Sequence, residues 1–182
     1  MAANPQTALS GLARALIQQN RLSEADALSC TDGSGSASGF ITELNQRGLL
    51  SYRDLARFAA NTFGYPLFDL ASLDTSVIPR DGVDRKLMAK HHVLPLAKRA
   101  NRLIVALADP TNLRAIDEIR FQTGMPVDPV VVELDRLTKL VDGVSESTEQ
   151  TLKDLTGEEF DMDLLEQEAP KEQADDGSQE VD

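Results

Sequence analysis

The sequence predicts an α+β protein, with an N-terminal helical subdomain of tandem helical hairpins, a small α/β subdomain and a disordered acidic tail. Three observations support this prediction. The segment 11–28 recurs as 39–56, the apolar period changes after Pro66, and the chain beyond residue 141 carries 15 acidic but only 2 basic side chains. The predicted boundaries are 6–64 for the helical subdomain, 65–142 for the α/β subdomain and 143–182 for the acidic linker.

The helical repeat is the first element. An offset of 28 aligns the two copies without a gap and gives six identities among 18 positions. Each copy has an apolar helical pattern, a break at Asn20 or Gly48, and a serine that begins a second helix, Ser23 or Ser51. Asn and Gly tolerate the left-handed conformation that ends helices, so each copy is predicted to be a helical hairpin. The polar, glycine-rich residues 31–39 are predicted to be a flexible connector.

The second part of the chain is predicted to contain a β-β-α-β-α unit. Runs of β-branched and apolar residues between turn signals predict strands, and an amphipathic period predicts helices. The result is a subdomain of about three to four strands and two to three helices. The strands are predicted over residues 67–70, 92–99, 102–109 and 127–133, with a turn at Ala100-Asn101, and the helices over 83–91, 113–124 and 134–143.

The charge of the chain is concentrated in its tail. Residues 142–182 carry a net charge of -13, whereas residues 1–141 carry +1. The tail has few apolar residues to offset the entropy of ordering, so disorder is predicted there. No run approaches the roughly 18 apolar residues that cross a bilayer. We therefore expect a cytoplasmic protein with no direct membrane insertion and no nucleic-acid partner.

The sequence contains no recognisable catalytic or metal-binding pattern. The glycine-rich GSGSASG lacks the Lys-Ser/Thr of a phosphate-binding loop, and the adjacent His91 and His92 have no third ligand at a suitable spacing. Cys30 is alone, which excludes a disulfide within the chain. We therefore predict a non-catalytic binding and regulatory module with no metal and no cofactor of its own.

Two polar features remain as candidate binding elements. Asp109-Pro110-Thr111-Asn112 stands at a strand-to-helix junction, where it is predicted to cap the helix and where Asp109 is a candidate ligand contact. A basic cluster is predicted either as solvated surface or as a patch for an anion or for the acidic tail. Its members are Arg85, Lys86, Lys90, Lys98, Arg99 and Arg102.

The stretch KLMAKHHVLPLAKRANRLIVALADPTNLRAIDEIRFQTGMPVDPVVVE, after the helical repeats and GYPLFDL, resembles a known family. It is similar to the N-terminal, MshEN-type region of type IV pilus assembly (extension) ATPases, in the type II secretion ATPase superfamily. The resemblance covers about residues 8–141. In that family a linker and a RecA-like motor domain follow, with ATP and Mg in the motor. The resemblance implies that this chain is the region that precedes the motor.

Many members of this family bind cyclic di-GMP through two tandem motifs of the form RLGxxLxxxGxLxxxxL. The 28-residue repeat resembles these motifs, and Asp109 matches an acidic position of the second lobe. The matching motif positions are Leu12, Leu16, Leu22, Phe40, Leu44, Gly48 and Leu50. This chain departs from the motifs at their polar positions, because Gly11 and Gly39 stand where each begins with Arg. An Arg fork supplies charge-assisted bonds that Gly cannot supply, so cyclic di-GMP is a doubtful ligand here.

The resemblance implies a docking role in pilus assembly and twitching motility. Its expected partner is a PilZ-type adaptor protein, which joins a separate cyclic di-GMP receptor in a ternary complex. An exposed apolar face of Leu9, Leu12, Leu16 and Ile17 is the predicted docking surface, and the alternative is that these residues only pack the helical bundle. Two alternatives stay open, namely a direct cyclic di-GMP receptor and a module that anchors the C-terminal motor domain to the inner-membrane pilus platform.

Overall fold

The computed structural model describes residues 9–31, 36–79 and 83–144. The chain divides into two units, residues 1–146 and 147–182, and the second unit lies outside the described residues, as does the disorder predicted for it. The fold is α+β, as predicted. Its elements are α1 (Gly11–Gln18), α2 (Glu24–Thr31), α3 (Ala37–Gln46), α4 (Tyr52–Phe63), α5 (Arg85–His91), β1 (Leu94–Arg99), β2 (Arg102–Leu107), α6 (Leu113–Thr123), β3 (Val127–Val131) and α7 (134–144).

The two helical hairpins repeat each other in the details of their caps. Ser23 Oγ accepts a bond from the Asp26 amide at 3.0 Å, and Ser51 Oγ accepts one from the Asp54 amide at 3.1 Å. Each serine hydroxyl also donates to the carboxylate of its aspartate at 2.6 Å. Such side-chain bonds satisfy backbone donors that a helix start leaves without partners. The predicted serine caps are therefore confirmed in both copies.

The breaks between the paired helices also match. Asn20 has φ 54° and Gly48 has φ 70°, so both residues are left-handed. Their amides donate to the carbonyls of Ile17 at 3.0 Å and Asn45 at 2.9 Å. The left-handed residue reverses the chain and ends the first helix of each hairpin. The predicted breaks are confirmed, and the asparagine performs the same turn as the glycine.

A mixed three-stranded sheet forms the second half of the fold. Strand β1 pairs antiparallel with β2, and β2 pairs parallel with β3, in the order β1-β2-β3. Ala100 in the hairpin turn between β1 and β2 has φ 51°. Helix α6 connects the parallel strands β2 and β3, because parallel neighbours need a crossover. The predicted β-β-α-β-α order is confirmed.

Several predicted boundaries differ from the structure, and three of them change an element or its start. Residues 67–70 form no regular strand: Leu67 makes an isolated parallel bridge with Val131, and Asp69 then starts a 3-10 turn by accepting a bond from the Ala71 amide at 2.9 Å. Strand β1 begins at Leu94, because His92 at φ 49° is the left-handed cap of α5. The connector is shorter than predicted, since the cap residue Ser36 starts α3.

Two hydrophobic clusters form the core. One lies between the sheet and helices α5, α6 and α7, with Leu94, Val105 and Ile119 among its buried members. The other fills the helical hairpins and extends to three residues of the α/β part, Ala108, Val131 and Leu134. The predicted segments 6–64 and 65–142 therefore contribute to a shared core within the first unit.

No helix of the described residues has the length and apolar character that a bilayer span needs.

Candidate functional site

The apolar residues of the predicted motifs lie in the core of the helical hairpins, whereas Gly48 is exposed at the break between α3 and α4. Five of these leucine and phenylalanine positions are buried, and Leu50 packs half-buried against the same cluster. The repeat therefore retains an apolar scaffold, while a role of these residues in binding stays a prediction. The five buried positions are Leu12, Leu16, Leu22, Phe40 and Leu44.

The exposed apolar face predicted on the first repeat is wrong for three of its four residues. Leu9, Leu12 and Leu16 are only 4%, 0% and 1% exposed, and Ile17 is half-buried. All three leucines belong to the buried cluster of the helical hairpins, so internal packing covers them. Of the four, Ile17 is the one that a partner can reach, and binding there stays a prediction.

Asp109 is the buried polar residue of the described chain. It follows β2 and is 4% exposed. Its Oδ1 accepts bonds from the Thr111 amide at 2.9 Å and from the Thr111 hydroxyl at 2.6 Å. Its Oδ2 is buried and has no hydrogen-bond partner within the described ranges. Burial raises the pKa of this carboxyl, and the two bonds from Thr111 act in the opposite direction.

The predicted capping role of the Asp109-Pro110-Thr111-Asn112 turn is confirmed, and Asn112 performs it. Asn112 is the N-cap of α6 and accepts a bond from the Ala115 amide at 3.3 Å. Asp109 instead folds the turn itself through Thr111. The contribution of Thr111 was not predicted, because a threonine inside a turn has no sequence signal for a contact far away along the chain.

The start of α1 packs directly on this turn. The Leu12 amide donates to Thr111 Oγ1 at 3.2 Å, which continues the chain of bonds to Asp109. A Cβ built on Gly11 lies 2.7 Å from Thr111 Cβ, closer than carbon atoms approach in real proteins. Gly11 is therefore needed for this close approach of α1 to the turn. It also occupies the position at which the first of the two family motifs that the repeat resembles begins with Arg.

A cavity of about 280 Å³ lies beside this contact. The starts of α1 and α3 border it, through Ser10 and Gly11 in the first helix and Ser36 in the second. Asp109 and Thr111 also line it. The cavity therefore has a carboxyl of raised pKa beside helix starts, whose amides attract negative groups.

The two histidines lie at the C-terminal end of helix α5. His91 Nε2 lies 2.9 Å from Glu118 Oε2, and Lys90 Nζ lies 3.0 Å from the same oxygen. The hydrogen bonds from His91 and Lys90 lower the pKa of Glu118 from its usual value to about 2. His92 caps α5, and its buried Nδ1 has no partner in the described part of the chain. Among the described residues, no three His, Cys, Asp or Glu side chains are placed to hold a metal ion.

The basic cluster lies on two different elements. Arg85, Lys86 and Lys90 belong to α5, whereas the other members, Lys98, Arg99 and Arg102, belong to the β1–β2 hairpin. Arg102 Nε donates to Asp128 Oδ2 at 2.6 Å across the parallel strands, which raises the pKa of the Arg102 guanidinium. Lys90 and Arg114 line the same pocket, and no role for Arg114 was predicted from the sequence.

Comparison with known proteins identifies relatives of this chain. The MshEN domain family matches residues 63–151. The type IV pilus assembly ATPase PilB of Pseudomonas aeruginosa PAO1 is 36% identical over 181 residues, which cover 98% of this chain and 32% of that protein. The type II secretion system protein E of Xanthomonas campestris pv. campestris is 32% identical over 127 residues, which cover 67% of this chain and 22% of that protein. The chain thus spans a third or less of these relatives.

Two solved structures have a fold similar to that of this chain. The N-terminal domain of XpsE superposes with a TM-score of 0.59 and 28% identity, covering 78% of this chain and 96% of that one. A structure of MshE with cdg superposes with a TM-score of 0.54 at 23% identity, covering 74% of this chain and 96% of that one, and shows a shared fold. The chain therefore belongs to the MshEN-type N-terminal regions of the type IV pilus assembly and type II secretion ATPases.

Proposed function

We propose that this chain is the regulatory N-terminal domain of a type IV pilus extension ATPase, and that it controls the motor through protein contacts. The similarity to PilB supports the parent machine, with ATP and Mg used by a separate motor domain. One observation carries the choice of protein contacts over a nucleotide ligand. This observation is the contact between Gly11 and Thr111, at the position where a cyclic di-GMP motif has its first arginine.

The contact leaves no room for an arginine at position 11 without movement of α1 or of the turn. Even a Cβ at this position lies within 3 Å of the Thr111 side chain. Thr111 is held in place by its bonds to Asp109 and from the Leu12 amide. Charge-assisted hydrogen bonds contribute about 1.5–3 kcal/mol each, so the loss of such bonds at both motif starts strongly weakens nucleotide binding.

Calorimetry with cyclic di-GMP tests this choice. MshE, which was solved with cdg (cyclic di-GMP), serves as the positive control. We expect no saturable heat from this chain at ligand concentrations of about 100 micromolar, which corresponds to less than about 5.5 kcal/mol of binding free energy. Saturable binding at lower concentrations would instead establish the alternative of a direct receptor, which the retained repeat and the cavity beside Asp109 favour.

The proposed partner is a PilZ-type adaptor that docks beside α1, with a cyclic di-GMP receptor in the same complex. Ile17 is the half-buried apolar residue of the predicted face, and exposed Arg14 and Gln18 flank it. Asn45 is its counterpart in the second repeat and is also half-buried, so it provides a matched control. We expect Ile17→Glu to abolish co-purification with the adaptor and Asn45→Glu to retain it.

This experiment has a clear contrary result. If Ile17→Glu and Asn45→Glu retain the adaptor equally, the docking face lies elsewhere, and if the native chain retains none, the adaptor proposal is wrong. The remaining alternative is an assembly module at the cytoplasmic face of the inner membrane. Its test is co-purification of the whole ATPase with membrane platform proteins, which would disappear when residues 1–141 are deleted.

A further inference from the structure

A second concave pocket lies on the α5–α6 side of the α3 start. It measures about 290 Å³ and is separate from the cavity that Gly11 and Thr111 line, although the two share the start of α3 and Asn112. The side chains of α5 and α6 that line it are cationic or imidazole groups, Lys90, His91 and Arg114. No acidic residue of the described chain is among its lining residues, so its lining has positive character.

One carboxylate, that of Glu118, is shared by all three of these groups. Its oxygens lie 3.0 Å from Lys90 Nζ, 2.9 Å from His91 Nε2 and 3.4 Å from Arg114 Nε. Two permanent positive charges and an imidazole therefore meet a single negative charge. The pKa of Glu118, lowered to about 2 by the bonds from His91 and Lys90, is consistent with this excess of donors. The cluster has the charge to accept a further anion.

The remaining lining residues add neutral donors. Ser36 and Ser38 at the start of α3 contribute hydroxyls whose oxygens lie 3.2 Å apart. The first turn of the ten-residue α3 borders the pocket. Asn112, the N-cap of the eleven-residue α6, also lines it. Helix starts carry a partial positive charge, which reinforces the field of the cations.

We propose that this pocket binds a small phosphate-bearing anion, with Lys90 and Arg114 as its principal ligands and the α3 serines as neutral donors. Arg and Lys on convergent elements bind phosphate oxygens by charge-assisted bonds. The volume of about 290 Å³ lies just below the roughly 300–1,000 Å³ of sites for drug-sized ligands. It therefore suits free phosphate, diphosphate or the terminal phosphates of a nucleotide. This proposal is independent of the docking function.

Calorimetry on the full 182-residue chain tests the site with inorganic phosphate and pyrophosphate as probes. Ionic strength is held constant with chloride, because screening alone changes the attraction between ions. We expect saturable binding by the native chain. Lys90→Gln and Arg114→Gln should each weaken it about tenfold, the loss expected from one charge-assisted bond.

A matched pair of variants separates a built site from general surface charge. Glu118→Gln removes the carboxylate that competes with the ligand, so it should bind phosphate with a lower Kd than the native chain. Arg120→Gln removes a cation from the same helix that pairs with Asp117 at 3.0 Å and does not line the pocket. It should leave the Kd unchanged. Thermal unfolding of each variant verifies that it is folded.

The contrary results are equally specific. Absence of saturable heat with every anion would overturn the proposal, as would an equal loss in Arg114→Gln and Arg120→Gln. An ADP titration identifies the source of the phosphate. Tighter binding of ADP than of pyrophosphate, with the same dependence on Arg114, indicates a nucleotide, whereas binding of ADP no tighter than pyrophosphate indicates a free anion.

Discussion

Gly11 shows how a single missing methyl group determines a contact between distant parts of the chain. Its backbone lies against the Thr111 side chain, where a Cβ would come within 2.7 Å of a carbon atom. Gly11 lies within α1, so its value here is small size rather than freedom of φ. The contact brings the start of the helical hairpins against the turn that holds Asp109.

Substitution of Gly11 by Ala is therefore expected to destabilise the fold. Overpacking costs about 1–3 kcal/mol, and this exceeds the gain of about 1 kcal/mol that Ala brings to a helix. Urea unfolding measures the difference. Gly143→Ala is the matched control in α7, since its added Cβ meets no atom within 4 Å, and it should not destabilise the chain. Equal effects of the two substitutions would contradict the close contact.

Asp109 predicts a dependence of stability on pH. Burial raises the pKa of its carboxyl in the folded chain above the ordinary value of 3.8. The folded state then binds this proton more tightly than the unfolded state, so its contribution to stability falls as pH rises from about 3.8 through the folded pKa. Asp109→Asn removes this titration and can retain an oxygen acceptor for Thr111.

We expect the native chain to lose stability relative to Asp109→Asn as pH rises above about 4, in the direction that linkage requires. The measurement is the free energy of unfolding in urea for both proteins as pH is raised. Contributions of the other titrating groups largely cancel in the difference. A difference that stays constant with pH would show that the carboxyl titrates in the folded chain as it does in the unfolded one.

Several residues of the site were predictable from the sequence, and others were not. The left-handed turns at Asn20 and Gly48 were predicted from residue types that tolerate positive φ. Burial of Leu12 and Leu16 was one of two alternatives, because helical spacing identifies an apolar face without identifying what covers it. Thr111 was missed, since its partner in α1 lies 99 residues away in sequence.

At the scale of elements, the repeated hairpins share the same start signal. Ser23 and Ser51 each accept a bond from the amide three residues later, and each donates to an aspartate. Helices α2 and α4 therefore begin at equivalent positions of the repeat. The left-handed residues that precede these helices, Asn20 and Gly48, are a second similarity between the two copies.

Removal of either cap should have the same cost. Ser23→Ala and Ser51→Ala are each expected to lower the free energy of unfolding by about 1 kcal/mol, the usual value of an N-cap. Ser51→Thr keeps a hydroxyl acceptor and should retain most of the stability. Urea unfolding of the variants gives the comparison, and a Ser51→Ala variant as stable as the native chain would show that this cap contributes nothing.

The elements that local chemistry determines were predictable, and those that need tertiary pairing were less so. Helix caps and the β-β-α-β-α order follow from short patterns of residue types. The segment 67–70 has strand-like residues but meets β3 only at Leu67 and then turns at Asp69. A strand needs a partner along its length, and a single sequence does not state how far that partner extends.

At the scale of the molecule, the helical cluster includes residues from the α/β half. Leu134 at the start of α7 is 3% exposed and belongs to the cluster of the hairpins, together with Ala108 and Val131. Because these residues join the two halves through buried apolar contacts, we expect helical and sheet parts to unfold together. The helical part precedes the sheet, as the change of apolar period predicted, but the sequence contained no signal for this shared packing.

Leu134→Ala is expected to destabilise the whole chain by about 2–5 kcal/mol, as buried leucine truncations do. Circular dichroism of the helices and NMR signals of β2 should report one urea transition in native and variant proteins. The control is Leu113→Ala, since Leu113 is 61% exposed and its truncation should change stability little. Separate transitions of the helical signals and the β2 signals would show that the shared cluster does not couple the halves.

The packing of Gly11 on Thr111 also has an evolutionary consequence. The two positions share one volume, so a change at either alters what the other tolerates. Homologues that carry a larger side chain at the position of Gly11 need a smaller residue at the position of Thr111 or a displaced turn. We therefore expect the residue types at these two positions to covary among homologues. Lineages in which both residues change are those in which the start of α1 packs on the turn in a different way.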